Sequence, residues 1–182
     1  MLKKVLNVVL KIVSAAAIIA VVFACFNVKQ PETPEDMERE LSLYRKHFDR
    51  VVDFCRNIDY EKYRAINFQD TDFLYDGKKV YTVFPKEEGN ISGIKDITIE
   101  DKKLVRSLYK FFRKRYGCIH SDETGIVFQR RANRIRSMGV AYSFGDSVPN
   151  IDFLIYSEPL SEDGWYYYYT DFNAYKEMNG QD

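Results

Sequence analysis

The chain is poor in the residues from which most catalytic signatures are built. Its 182 residues include two histidines, three cysteines and one tryptophan. No HExxH pair, phosphate-cradling glycine loop or G-x-S-x-G elbow occurs in it, which removes the common metalloprotease, nucleotide-binding and serine-hydrolase patterns. It also lacks an excess of charge of either sign, with 27 basic against 27 acidic residues. Three of the basic residues, Lys3, Lys4 and Lys11, are the only charges before residue 27, so the remainder stands near −3. That balance is too even to read as a nucleic-acid binder on charge alone. There is no internal repeat and no low-complexity tract. Core material, by contrast, is present: aromatic residues make up 15% of the chain, enough bulk to exclude wholesale disorder and to fill one domain plus a leader.

The one long apolar run lies at the amino terminus. From Val5 to Phe26 only Asn7, Lys11 and Ser14 interrupt apolar or small residues, a length that at ~1.5 Å per residue covers roughly the ~30 Å of a bilayer's hydrocarbon. If Lys11 belongs to the basic end, the uncharged stretch from Ile12 to Phe26 suits a signal segment better than a full span. Lys3, Lys4 and Lys11 precede the run, while Lys29 is outnumbered by Glu32, Glu35 and Asp36 beyond it. By the positive-inside rule the rest of the chain is expected outside the cytoplasm. The stretch Val22-Phe23-Ala24-Cys25 resembles the lipobox of bacterial lipoproteins, which implies Cys25 as a lipidation site. Val22 stands there where leucine is usual, and Phe26 is an unusual follower. Residues 1–28 therefore read as a signal anchor or lipoprotein signal segment, and KQPETP (29–34) as a hinge in which two prolines oppose continued helix.

The next segment, 35–175, reads as one extracytoplasmic α+β domain, with 176–182 as a tail. Thr33, Pro34 and Asp36 form a helix-start signal. Met37, Leu41, Tyr44, Phe48, Val51 or Val52, and Cys55 recur at helical spacing, which predicts a helix to about Arg56. Asp59 is expected to cap a short turn through Ala65. The segment 73–84 reads as a hairpin turning at Asp76-Gly77, and 94–99 as a short strand. A second helix is expected from Asp101 or Lys102 to Tyr116, with Leu104, Leu108, Phe111 and Phe112 on its apolar side and Gly117 as its stop. Strands follow at 124–129, 139–144, 151–157 and 165–172, the last three as an antiparallel meander. The fold class is thus α+β: an amino-terminal transmembrane or signal helix, then two main helices, a β-hairpin and a carboxyl-terminal antiparallel meander.

Three features carry chemistry. Outside the cytoplasm Cys55 and Cys118 are a candidate disulfide. The stretch CIHSDE (118–123) gathers Cys118, His120 and Asp122, ligand types that zinc accepts, but recognised zinc sites use two such clusters and only one exists here. Read as a loop after a helix it is polar surface; the rival reading makes Cys118 a thiol nucleophile with His120 as its base, although alternate residues of an extended segment point opposite ways. His47, among charged neighbours, is expected in solvent. Basic residues cluster on the second helix and in QRRANRIRS, where Arg130, Arg131 and Arg134 are candidate anion-binding residues, balanced against Glu38, Glu40 and Asp49 as intramolecular partners. Finally, WYYYY places Trp165, Tyr167 and Tyr169 on one strand face and Tyr166 and Tyr168 on the other. One face is core and the other a candidate groove.

These observations lead to an expectation of a bacterial-type surface protein, single-pass or lipid-anchored, acting as a noncatalytic binding or accessory module. Arg130, Arg131, Arg134, Trp165, Tyr166 and Tyr168 are its candidate surface. An anionic polymer, a carbohydrate or a protein is the expected partner, without nucleic acid, cofactor or metal. The rivals are a small extracytoplasmic enzyme using Cys118 and His120, and an immunity or assembly partner of another membrane protein.

Overall fold

The computed structural model describes residues 33–69, 79–85, 95–113, 116–131 and 135–180. The leader, the lipobox-like stretch with Cys25, the turn at Asp76-Gly77 and Arg134 lie outside the described residues. Among those described, no helix is long and apolar enough to cross a membrane.

The domain is α+β. It begins with helix α1 (Pro34–Arg56), started by a complete capping box in which the Thr33 side chain accepts from the Asp36 N–H and Asp36 accepts from the Thr33 N–H. The expected stripe is its buried face: Met37, Leu41, Phe48, Val51, Val52 and Cys55. Asp59 caps a turn by accepting from the N–H groups of Glu61 and Lys62, but that turn is shorter than expected. From Tyr63 the chain is already strand β1 (Tyr63–Gln69), because Ala65, Ile66 and Phe68 are buried on a sheet.

Strands β2 (Lys79–Pro85) and β3 (Lys95–Ile99) follow, then helix α2 (Lys102–Arg113) with Leu104, Leu108, Phe111 and Phe112 buried. The helix stops one turn short of Gly117. Tyr116, Cys118, Ile119 and His120 instead belong to β4 (Tyr116–Asp122), so CIHSDE is not a surface loop. Ile119 within it and Tyr116 just before it are drawn into the core, which overrides the polar appearance of the stretch. The remaining elements are β5 (Gly125–Arg131), β6 (Arg136–Ser143), β7 (Leu154–Pro159), β8 (Trp165–Asp171) and α3 (Phe172–Met178). The Asp171 carboxylate accepts from the N–H groups of Asn173 and Ala174 and starts this short helix, which takes in Lys176 to Met178 of the segment expected as a tail.

The eight strands of the described residues form one sheet in the order β3-β2-β1-β4-β5-β6-β8-β7, with every neighbouring pair antiparallel. The expected meander is corrected at its end, since β8 lies between β6 and β7. The link between β6 and β7 is too long for a tight hairpin, whereas the short SEDG segment lets β7 and β8 pair directly. Gly139 is required where β6 passes β5: a Cβ there would sit 2.0 Å from the Phe128 carbonyl oxygen and 3.3 Å from the Tyr168 ring.

Helices α1 and α2 lie on the same side of the sheet. There they share one apolar core with Ile66, Phe68, Ile119, Ile126, Phe128, Val140, Trp165 and Tyr167. The opposite face carries a far smaller cluster of Val127, Ala141 and Tyr168, covered by Ile151 and Leu154. Helices α1 and α2 do not lie on that second face; α3 reaches its margin, where Phe172 lines a cleft.

Candidate functional site on the sheet face opposite α1 and α2

The strand pleat sorts residues between the two faces. In β1, Ile66 and Phe68 face the helices, so Asn67 faces away. In β4, Ile119 faces the helices, so Cys118 and His120 face away. In β5, β6 and β8 the residues facing away include Val127, Gln129, Ser137, Tyr168 and Thr170. These side chains floor a cleft of about 1040 Å³. Its walls come from the link before β7, which supplies Asn150, Ile151, Asp152 and Phe153, and from Ile135, Arg136 and Phe172.

The floor is polar and uncharged. His120 Nδ1 lies 2.5 Å from the Asn67 side-chain oxygen, so Nδ1 carries the donated proton and Nε2 keeps its lone pair. Gln129 Nε2 donates to Ser137 Oγ at 3.1 Å, and Ser137 Oγ lies 2.7 Å from Thr170 Oγ1. The Gln129 amide oxygen and His120 Nε2 have no hydrogen-bond partner among the described residues, and both accept. Gln129 and His120 hold diagonal positions of the β4–β5 pair, a residue spacing of about 7–8 Å. Among the described lining residues the two charged groups, Arg136 and Asp152, balance in sign, and Arg136 Nε already donates to Asp171 at 2.6 Å.

The rim is apolar. Ile135, Phe153 and Phe172 are each more than a third exposed, and the Phe153 and Phe172 rings meet edge to face at 4.9 Å. Phe153 holds φ +57, a left-handed conformation that costs a non-glycine residue about 1–2 kcal/mol. Such strain persists only where the surroundings impose it. Here the Asp171 N–H donates to the Phe153 carbonyl at 3.3 Å and the Phe172 N–H to the Ile135 carbonyl at 2.9 Å, which ties all three apolar residues to the end of β8.

Burial depresses the pKa of His120, an effect that Asp122 and Asp152 oppose and Arg64 reinforces. A histidine whose folded-state pKa is depressed contributes stability that is complete above its unfolded value of about 6.5 and is lost as the pH falls below it. Urea titrations at about pH 7 and about pH 5 are therefore expected to show an acid loss of stability. His120→Asn should reduce that loss; an unchanged pH dependence would contradict the assignment.

Several expected site residues stand elsewhere. Cys55 is buried beneath α1 on the helix side of the sheet, while Cys118 faces the cleft, so no bond joins the two thiols. Burial pushes the Cys55 thiol up to about 12, which makes it an inert core residue. Cys118 and His120 line the same cleft, which corrects the expectation that they point opposite ways: residues two apart on one strand share a face. Asp122 accepts from Thr124 in the β4–β5 turn, and among the described residues no three histidine, cysteine or acidic side chains gather as a metal-ligand set.

The expected binding surface dissolves in part. Trp165 is 1% exposed and belongs to the helix-side core. Arg130 is buried, paired with Glu40 and stacked over Tyr116 at 4.8 Å. Tyr168 lies at the cleft but is packed, its hydroxyl donating to the Phe128 carbonyl at 3.4 Å. Tyr166 is half-buried. Arg131 is placed only as a backbone position in β5. Asn67, Gln129, Ser137 and Thr170 were missed by the sequence reading, although strand alternation would have grouped them once the strands were known.

In class, the protein is an α+β domain with two helices on one face of a single antiparallel sheet and an open polar cleft on the other. No protein-family model matches the chain, and neither the curated proteins nor the solved structures hold a match to it.

Proposed function

We propose that the protein is a noncatalytic binding module, held at the outer face of a membrane by its amino-terminal segment, whose cleft takes an uncharged, hydroxyl-rich ligand of the carbohydrate class. The observation that carries this reading is the pairing of a neutral hydrogen-bonding floor with exposed aromatic rings at the rim. His120 Nε2 and the Gln129 amide oxygen accept from ligand hydroxyl groups. Phe153 and Phe172 offer apolar faces to the C–H side of a sugar ring. An anionic polymer suits the cleft less well, because Arg136, the one arginine or lysine among the described lining residues, is engaged by Asp171. The outward location rests on Lys3, Lys4 and Lys11 preceding the apolar run.

The full chain, solubilised in nonionic detergent, is expected to bind a subset of an oligosaccharide panel. Gln129→Ala and Phe172→Ala should each weaken that binding about tenfold with unchanged melting. Failure to bind any sugar, or binding indifferent to both substitutions, would reject the reading. Turnover of a bound glycan that is abolished by Cys118→Ser and His120→Asn would replace it with the enzymatic one.

A further inference from the structure

We infer that the solvent-facing flank of α2 is a docking surface for an anionic phospholipid bilayer, a second membrane contact besides the leader. The inference rests on the proposed placement of the chain at a membrane and does not depend on the ligand of the cleft. The helix buries Leu104, Ser107, Leu108, Phe111 and Phe112. Its exposed residues are Lys102, Lys103, Arg106, Tyr109, Lys110 and Arg113. At about 100° per residue these six fall within an arc of about 120°, and at ~1.5 Å per residue they run for about 17 Å. No acidic residue lies within the helix. Asp101, just before it, is occupied in accepting from the N–H groups of Lys103 and Leu104.

Five cations therefore share one flank, and Arg106 stands four residues from both Lys102 and Lys110. Like charges at that spacing destabilise a helix. No carboxylate of the described residues forms an ion pair with any of the five. The acidic residues of α1 that were candidates for the task are engaged elsewhere: Glu38 with the Ser161 N–H, Glu40 with Arg130, and Asp49 with Arg45. His47 registers the same imbalance. Expected in solvent, it is instead half-buried, with Lys110 Nζ 3.0 Å from its Nε2. Its pKa is lowered first by burial and then by the cations Lys110, Arg50 and Lys46. A small anion needs a concave site, whereas the outer side of a helix is convex and none of the five lines the cleft. A bilayer needs no pocket: its charge is spread along the whole surface and acts within a Debye length of the headgroups. Tyr109 favours lipid over a soluble polyanion. It is 50% exposed amid the cations, with the Arg113 guanidinium 5.7 Å from its ring centroid. Tyrosine beside lysine and arginine is the combination that settles at headgroup level, ring inward and charges outward.

In the test the full chain is diluted from nonionic detergent into vesicles of phosphatidylcholine, alone or mixed with phosphatidylglycerol, and acetylation of each lysine is followed by mass spectrometry. Lys102, Lys103 and Lys110 are expected to react at least about fivefold more slowly on the anionic vesicles. That difference should vanish in about 1 M salt, which shortens the Debye length to about 3 Å. Lys176, on α3 at the margin of the other sheet face, should react alike on both. The Arg106→Gln/Arg113→Gln variant spares the three reporter lysines; it should melt as the wild type does and lose most of the protection, and Arg106→Lys/Arg113→Lys should keep it. Equal rates on the two vesicles, protection that survives in the glutamine variant, or equal protection of Lys176 would overturn the proposal. So would protection by soluble dextran sulfate with none from anionic vesicles, the outcome that an anionic-polymer partner predicts. Retention of the chain by neutral vesicles tests the anchored placement separately. A chain they do not hold counts against the proposed function, while the contrast between the two vesicles still decides the docking surface.

Discussion

Replacing Phe48 with alanine is expected to cost about 3–5 kcal/mol, a large part of the roughly 5–15 kcal/mol that holds a typical domain folded. Phe48 is fully buried on α1. Its ring lies 4.5 Å from that of Phe111 on α2, 4.8 Å from Phe128 on β5, 5.3 Å from Trp165 on β8 and 6.3 Å from Tyr116 on β4. One side chain thus joins both long helices to three strands of the sheet. Truncation removes apolar area from the core and also leaves a space that four rigid rings cannot readily fill, since rings in a packed interior do not flow into voids. The chain's single tryptophan is one of the four neighbours, so its emission reports the change directly. The expected outcome is a fall in Tm of about 10 °C or more followed by Trp165 fluorescence. Leu43→Ala on the same helix serves as the control, because Leu43 is 73% exposed and should shift stability by no more than about 0.5 kcal/mol. Equal effects at the two positions would mean that the helix-side cluster does not hold the domain together.

How much of this could be read in advance depended on whether local pattern and tertiary demand agreed. At α1 they agreed completely: Thr33, Pro34 and Asp36 set the start, and the apolar spacing from Met37 to Cys55 defined the buried face. At β4 they conflicted. Lys102 to Tyr116 reads as one amphipathic helix, yet Tyr116 is needed in the aromatic core and pairs opposite Arg130, so the helix ends at Arg113 and CIHSDE becomes extended. The order of the last strands was illegible for another reason. Alternation in IDFLIYS and WYYYYTDF announces strands but carries no information on which neighbour each one takes. The WYYYY alternation itself was sound, with Trp165 and Tyr167 in the helix-side core and Tyr168 in the smaller cluster. What it concealed was that the tryptophan face, not the tyrosine face, is the more deeply covered. The cleft escaped notice because Asn67, Gln129, Ser137 and Thr170 lie far apart in sequence and each alone is an ordinary strand polar residue. Only the sheet order brings them to one floor.

Glu40→Leu is expected to destabilise the domain by about 3–5 kcal/mol, although the leucine is more apolar than the residue it replaces. The reason is Arg130. Its guanidinium donates to Glu40, lies over the Tyr116 ring at 4.8 Å and is 7% exposed as a residue. Burial lowers its pKa to about 10, so it still carries its charge at neutral pH. A group with a lowered pKa gains protons less readily in the folded state, and the resulting penalty is relieved only as the pH climbs past 10. Removing the Glu40 carboxylate therefore leaves a desolvated cation without its counter-charge. Changing both partners, in Glu40→Leu/Arg130→Met, removes the charge as well as its partner and should recover most of the loss, because replacing a buried ion pair by apolar side chains is often neutral or better. The double-mutant cycle, measured by urea melts, is expected to give a coupling of at least about 2 kcal/mol. Added salt should change it little, since buried pairs are weakly screened. Additive losses would show that Arg130 reaches solvent and that QRRANRIRS presents its first arginine as a surface charge after all.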